Sequence, residues 1–494
     1  MLVFLLSTII IMVLVYLLLK QFFSPLKHLP NPEAWPIVNQ LPYFLSNTDQ
    51  LDIIERYCRM HKDKGAFRMT MNAFVGEAVF LTNFDDFKLI VSRPAIYQRN
   101  NFFKRYFPLL GDGLLSATGR LHQFQKKLLF KAFSKLHLKN YTETFNQNSR
   151  VLVKIIKDFV KDSSRNIAVQ EYFQMLAFDV IGQIGFGCNF NAQISKESKF
   201  VSIFMSHVDG LANVKTRLLL DLFPFLWYLP FGPAAKSKEL NEEARNIMNQ
   251  LFDKRKQAMK EGTLSEEEEK DILSLMINAR DDETKEGMTD QLIKDLTYTF
   301  LLAAVDTTAI SLAWCFLEFA KHPDAQRRAR CEIVQNLKQK SDITPEDISS
   351  LPFTQSFLKE TLRFHPAGPL LQRTNQEEVN MCGHTYPKGT CFLLPIFFYG
   401  IENFKDGSKF QPDRFMDNEK NESTPVEPFV FSYGPYSCIG KNFAMLEMQI
   451  AIAHLLRNFE FSVEPGYENY NRTIVATIST DRPITLKVKA LQVD

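Results

Sequence analysis

The chain is poor in cysteine and nearly free of net charge. Seven cysteines (Cys58, Cys188, Cys315, Cys331, Cys382, Cys391, Cys438) are scattered over 494 residues, and no two form a Cys-x-x-Cys pair. That spacing gives no support for a zinc site. An odd count without framework spacing points to a reducing compartment. The formal net charge is +2, which argues against nucleic acid as the main partner. No Gly/Ser linker, charge block or internal repeat divides the chain. Length alone allows about three domains, but one large domain behind an N-terminal segment is the simpler expectation. What the chain has in quantity is phenylalanine, 44 residues within a 13% aromatic content. That is material for a large apolar core or pocket.

Residues 1–19, MLVFLLSTIIIMVLVYLLL, carry no charge and are followed by Lys20, Lys27 and His28. About 20 apolar residues span a bilayer. A cleavable signal would need a basic start and a shorter apolar stretch ending at small residues. The expectation is therefore an uncleaved anchor over 1–20. Positive charge on its C-terminal side keeps the rest of the chain in the cytosol. Prolines at 25, 30, 32, 36 and 42 make residues 21–45 a stiff, extended hinge. A catalytic domain follows over 46–494. The apolar, proline-broken stretch 216–233 is either a core element or a loop dipping into the membrane.

After residue 45 the pattern is mainly α with a small β part. Helical periodicity marks 151–162, 238–262 and 441–459. Residues 290–323 predict one helix of over 30 residues, polar at its ends and apolar all round in its middle, as for a helix threading a core. Strand-like patches lie at 78–83, 380–395 and 484–490.

Three constellations carry chemistry. In FSYGPYSCIG (431–440), Phe431, Gly434 and Gly440 surround Cys438 just before a helix. A lone cysteine is more often a small buried hydrophobe. At a helix N-terminus, however, backbone N–H groups favour a thiolate, and glycine clearance beside an aromatic wall suits an axial iron ligand of a haem. Glu360 and Arg363 lie three apart on one helix face. With Arg414 they are expected to form a buried cluster that locks the framework around the cysteine loop. Asp306 and Thr307 sit amid apolar residues of the long helix, where polar groups are costly without a purpose. Thr307 either bonds back to its own helix or marks a local opening where the pair guides protons to bound dioxygen.

In this order and spacing the motifs resemble the cytochrome P450 superfamily, in its microsomal, reductase-dependent eukaryotic type. The resemblance spans the whole chain and includes the Pro412–Phe415 segment. It implies the cytochrome P450 fold with haem b held by Cys438, whose sulfur would donate electron density that favours O–O cleavage. Thr307 and Asp306 would serve protonation of bound oxygen. Glu360, Arg363 and Arg414 would be structural. Substrate would contact Phe102, Phe103, Phe107, Ala304, Val305, Leu370 and Ile478.

The chain departs from the family pattern around the haem edge. Tyr436 stands where an arginine usually pairs a propionate. The usual Trp-x-x-x-Arg is His122-Gln-Phe-Gln-Lys126. Lysine is a point charge and cannot reproduce a planar fork. Arg373 is retained, so His122, Lys126 and Arg373 are expected to hold the propionates.

The implied function is a monooxygenase that inserts one oxygen atom of O2 into a fatty, steroid-like or xenobiotic substrate. Electrons would come from NADPH through NADPH–cytochrome P450 reductase, with cytochrome b5 as a second donor, at the cytosolic side of the endoplasmic reticulum membrane. Lys126, Lys127, Lys131 and Lys135 form a basic series suited to an acidic flavoprotein. The alternatives are a haem-thiolate isomerase or lyase of peroxides, and a non-catalytic haem binder.

Overall fold

The computed structural model describes residues 15, 22–34, 40, 49–72, 76–99, 110–161, 164–195, 201–204, 233–416, 429–474 and 477–492. The N-terminal apolar run (Val15 apart), the Phe102–Phe107 segment and nearly all of 216–233 lie outside them.

Helices dominate. In chain order they include α1 Gln50–Met60, α2 Phe84–Ser92, α3 Gly119–Leu129, α4 Lys135–Val160, α5 Val169–Phe186, α6 Pro233–Glu261, α7 Ile272–Asn278, α8 Asp290–Lys321, α9 Pro323–Leu337, α10 Pro352–Phe364, α11 Ile396–Glu402 and α12 Lys441–Asn458. The strands are β1 Ala66–Asn72, β2 Gly76–Leu81, β3 Tyr97–Gln98, β4 Arg165–Ala168, β5 Leu370–Asn375, β6 Val379–Met381, β7 His384–Tyr386, β8 Cys391–Pro395, β9 Phe459–Ser462, β10 Arg472–Ile474, β11 Ile478–Thr480 and β12 Thr485–Ala490.

The long helix α8 is the axis of the molecule. Thr289 caps it by accepting from Leu292 N, and it stops at His322, where Pro323 opens α9. Its middle is apolar on every side because α5, α10 and α12 pack around it. The run from Thr308 to Ala320 is buried throughout. Among the described residues α8 is also the one helix long and apolar enough to cross a membrane. That burial makes it a core helix. The α12 helix runs beside α8 and packs along α4, so the cysteine loop at its N-terminus abuts the core.

The largest sheet has the order β1-β2-β8-β5-β3, antiparallel except for the β2–β8 pair. A second sheet orders β4-β12-β9. The strand patches expected at 78–83, 380–395 and 484–490 fall on β2, β6 to β8 and β12. Strand β5 carries no comparable pattern, and pairing with β8 and β3 creates it. Strands β1 and β9 lie outside the expected patches although both alternate, Phe67, Met69 and Met71 against Arg68, Thr70 and Asn72, and Phe459 and Phe461 against Glu460 and Ser462.

The proline-rich hinge differs from the extended spacer expected. Leu26 and Leu29 are buried, Arg68 N donates to Pro30 O at 2.8 Å, and Ser24 bonds Glu77. Two leucines between the prolines give the segment an apolar foot, and it turns back onto β1 and β2. Phe22 and Phe23 stay 70% and 69% exposed.

Candidate functional site

Cys438 lies in a loop fixed from several sides. Its N–H donates to Phe431 O at 2.9 Å, and Ser437 N donates to Gly434 O at 3.0 Å. Gly434 has φ +71°, and a Cβ there would meet Val91 O at 2.5 Å, so only glycine lets the loop lie against the end of α2. No side chain caps α12 after Gly440. A backbone N–H at Gly440 reaches the sulfur, and the charges of Lys126 and Arg99 favour its thiolate, while burial opposes it and keeps the free thiol's pKa raised. The sulfur-bearing residue is nonetheless accessible, although protein surrounds it.

Beside the loop, three basic side chains, Arg99, Arg373 and His122, converge on Tyr436, and a fourth, Lys126, on its neighbours Pro435 and Ser437. The guanidinium carbons of Arg99 and Arg373 lie 4.7 and 5.1 Å from its ring centroid. The His122 ring lies 4.4 Å away. The Tyr436 hydroxyl accepts from Gly119 N at 3.2 Å. Burial and the charge of Arg373 push the pKa of Arg99 down. Burial together with Arg99, Lys126 and Arg373 pushes His122 down to about 3, so it is neutral and offers a ring N–H without charge. Among the described residues no carboxylate pairs with any of the four, and the Nε of buried Arg373 has no partner. A buried guanidinium, Arg373, and a half-buried one, Arg99, without an acid among the described residues make a site for an external anion.

Lys126 behaves differently from the expectation. Its Nζ donates to Pro435 O at 2.8 Å, Ser437 O at 2.9 Å and Ser437 Oγ at 3.1 Å. An ammonium has three donors, so none is left for a propionate. Sequence reasoning missed Arg99, which follows β3 in no motif. The signal was indirect: two absent arginines require charge from elsewhere.

Glu360, Arg363 and Arg414 are brought together as expected. Glu360 is fully buried and accepts from Arg363 Nε at 2.7 Å, Arg363 Nη2 at 2.8 Å, Arg414 Nε at 3.0 Å and Gln411 N at 2.8 Å.

On α8, accessibility opens at Ala303, Ala304, Asp306 and Thr307 between buried neighbours. Val305 is only 1% exposed and packs inward. The helix runs unbroken here, without the local opening considered from sequence. Thr307 Oγ1 donates to Ala303 O at 2.6 Å, which holds the hydroxyl against the helix. Asp306 accepts from Thr477 Oγ1, and Ile478 N donates to Ala367 O at 2.8 Å. Three of the segments expected to line the substrate pocket thus meet: the α8 face, the start of β5 near Leu370, and the turn into β11.

The basic series expected to meet a flavoprotein is largely committed elsewhere. Lys127 pairs with Asp281 at 2.8 Å and Lys131 with Asp282 at 3.1 Å. These acids precede α8 and neutralise that face.

A soft sulfur donor, a small-residue helix face and an acid-free cation cluster fit one ligand, a haem with its two propionates. Residues 29–488 match the sequence model of the family Cytochrome P450. The chain belongs to the cytochrome P450 family. It is 29% identical over 436 residues to cytochrome P450 4d2 of Drosophila melanogaster, covering 84% of this chain and 85% of that protein. It is 27% identical to an ultra-long-chain fatty acid omega-hydroxylase of Homo sapiens, over 82% of this chain and 77% of that one. The solved haem domain of cytochrome P450DA superposes with a TM-score of 0.81 at 20% identity, over 94% of this chain and 98% of that one, which establishes the fold. As a family member the protein is a haem-dependent monooxygenase of apolar organic substrates, using O2 and NADPH-derived electrons through a redox partner.

Proposed function

We propose that the protein is a membrane-anchored cytochrome P450 that hydroxylates fatty-acyl substrates, with Cys438 as the residue that would ligate its haem iron. The carrying observation is Cys438 itself: an exposed residue just before an uncapped helix N-terminus, adjoined by the guanidinium groups of buried Arg373 and half-buried Arg99, with no carboxylate partner for them among the described residues. When bound, haem supplies reductive activation of O2 and delivery of one oxygen atom to the substrate. The chain's own residues do the rest. Arg99 and Arg373 would hold the propionates, with His122 adding a ring N–H donor beside them. Phe431 and Gly440 shape the loop at the sulfur. Thr307, donating its hydroxyl hydrogen to Ala303 O, keeps lone pairs free to accept a hydrogen bond from water at the open face of α8. Asp306 is the nearby acid, oriented by Thr477. Glu360, Arg363 and Arg414 are structural.

The fatty-acyl reading rests on the named human relative and on the phenylalanine-rich interior. Substrate contact is assigned to Ala304 and Leu370, and Ile478, 2% exposed, supports that wall from behind; Phe102, Phe103 and Phe107 lie outside the described residues and are proposed as contacts from the sequence alone. Val305 supports that face from behind. NADPH–cytochrome P450 reductase, with cytochrome b5 as a second donor, is proposed to dock at a groove of about 520 Å³ beside the cysteine loop, whose lining includes Lys139, Lys359, Phe431, Lys441 and Met445. An N-terminal anchor in the endoplasmic reticulum membrane, with residues 46–494 in the cytosol, fits the uncharged run 1–19 and the exposed Phe22 and Phe23.

The test has two arms. The reduced, carbonyl-bound holoenzyme should give the thiolate-type spectrum, and Cys438→Ser should abolish it; a histidine-type spectrum in the wild type refutes the ligand. A spin-state titration with fatty acids of graded length, followed by reductase-supported turnover, should yield hydroxylated acids. Peroxide rearrangement without reductase would instead establish the isomerase or lyase reading.

A further inference from the structure

The peptides leading into Cys438 are restrained to an unusual degree. The 436–437 peptide is held at both ends: Tyr436 O accepts from Arg99 Nη2 at 3.3 Å, and Ser437 N donates to Gly434 O at 3.0 Å. The 437–438 peptide is held likewise, with Ser437 O on Lys126 at 2.9 Å and Cys438 N on Phe431 O at 2.9 Å. Pro435 O is also on Lys126, at 2.8 Å. Three consecutive carbonyls before the cysteine therefore accept from cationic side chains, and the hydroxyl of Ser437 adds a fourth acceptor. Lys126 reaches this loop from the last turn of α3, across 309 residues of sequence.

We propose that Lys126 is a positioning residue that staples the Cys438 loop through the Pro435 and Ser437 carbonyls, and is not a propionate ligand. The proposal deepens the haem-thiolate reading of Cys438 and rests on it. Its chemical basis is the shape of an ammonium. One nitrogen directs three N–H bonds at three acceptors on neighbouring residues. A guanidinium spreads its donors over a plane and cannot converge on the same three atoms from the same stem. A lysine here is thus the residue the loop requires, and propionate binding passes to Arg99 and Arg373. The stapled carbonyls fix the plane of the peptide whose N–H belongs to Cys438. That fixes the backbone from which the Cys438 sulfur projects. The nearby positive charge also draws electron density from the sulfur.

The two roles predict opposite outcomes for one substitution. If Lys126 bound a propionate, Lys126→Arg would preserve or improve haem retention. If it staples the loop, Lys126→Arg and Lys126→Met both free the loop. The experiment uses holoenzyme and first records the wild-type ferrous–carbonyl spectrum, so that failure of the haem-thiolate reading shows there and is separate from failure of this proposal. Three quantities are then measured in Lys126→Arg, Lys126→Met, Ser437→Ala and Arg373→Ala: haem transfer to an excess of a haem-scavenging apoprotein, decay of the thiolate-type band, and reduction potential. The expected result is band decay about tenfold faster in both Lys126 variants, equivalent to ~1.4 kcal/mol, with haem transfer unchanged. The potential should move negative in Lys126→Met. Ser437→Ala should show a smaller effect of the same kind and add little to Lys126→Met. Arg373→Ala should speed haem transfer without hastening band decay. Faster haem transfer in Lys126→Met that is restored by Lys126→Arg overturns the proposal, as does an unchanged band decay in both. Should Lys126→Met fail to fold, Lys126→Arg and Ser437→Ala decide the matter.

Discussion

Replacing Glu360 by glutamine changes almost no volume and removes one negative charge from a site with no exposure. The wild-type carboxylate satisfies four N–H groups, from Arg363 Nε and Nη2, Arg414 Nε and Gln411 N. The partner side chains are 0% and 7% exposed. In Glu360→Gln two guanidinium groups remain in the interior, and the amide NH2 is set against donors. Removing one partner of a buried ion pair costs ~3–5 kcal/mol, a large part of a typical ~5–15 kcal/mol stability. The exposed Lys88–Asp85 pair at 3.0 Å is the internal control; breaking it should cost ~0–1 kcal/mol. The structure adds a sharper expectation. Many buried ion clusters can be exchanged for apolar side chains without loss. This one cannot, because Arg363 also donates to Gly400 O at 2.8 Å and Gly407 O at 2.7 Å, and Arg414 to Lys405 O and to Asp406 O at 3.1 Å. An apolar triad would orphan those carbonyls, at ~1–3 kcal/mol each where buried. The assay is denaturant unfolding of the holoenzyme, followed by circular dichroism and by the haem band. A Glu360→Gln loss below ~1 kcal/mol, or an apolar triple variant as stable as wild type, would refute the view of this cluster as an anchor for the 400–409 carbonyls.

Glu447, on α12, is 2% exposed and neither carboxylate oxygen has a partner; burial pushes its pKa up to about 8. Because the folded value lies above the unfolded one, its penalty is absent at low pH and grows by ~1.4 kcal/mol per pH unit up to about pH 8. Glu447→Gln should therefore gain stability over wild type progressively across that window and level off above it, and a pH-independent difference in unfolding free energy would contradict the assignment. Thr477→Val removes the hydroxyl that orients Asp306. It should lower product formed per NADPH oxidised and shift the pH profile while leaving KM near wild type, with Thr477→Ser restoring both; an unaltered coupling ratio would mean that Asp306 is oriented by other contacts.

The parts legible in the sequence are those whose causes are local. The periodicity of 290–323 specified α8 to within two residues, because a core helix needs only an apolar surface and an N-cap. The cysteine loop was legible because close backbone approach demands glycine: Gly434 against Val91 O is a steric requirement that composition cannot hide. Glu360 and Arg363 were legible as an i, i+3 pair. The hinge was misjudged because proline spacing states what the chain cannot do, whereas docking was decided by Leu26 and Leu29, two ordinary apolar residues meeting a surface distant in sequence. Strand β5 was missed for the same reason.

The acid-free cation cluster shows how far pattern reasoning reaches. Sequence alone established a deficit, a tyrosine and a lysine where two arginines were expected. The structure shows a redistribution. Tyr436 cannot supply the positive charge of an arginine, but its ring receives Arg99 and Arg373 at 4.7 and 5.1 Å, contacts worth ~0.5–2 kcal/mol each. An arginine at 436 would place a third guanidinium among two that already lack a counter-ion. The substitutions at 126 and 436 are therefore coupled: lysine leaves the haem edge for the loop, tyrosine makes room, and Arg99 enters from the end of β3. Restoring the family pattern at one position alone, as in Tyr436→Arg, should weaken haem retention, since like charges crowd before any propionate arrives. Only a change that also removes Arg99 should tolerate it. Haem transfer rates for Tyr436→Arg, with and without Arg99→Ala, measure that coupling, and a single substitution that tightens haem binding would show the two positions to be independent.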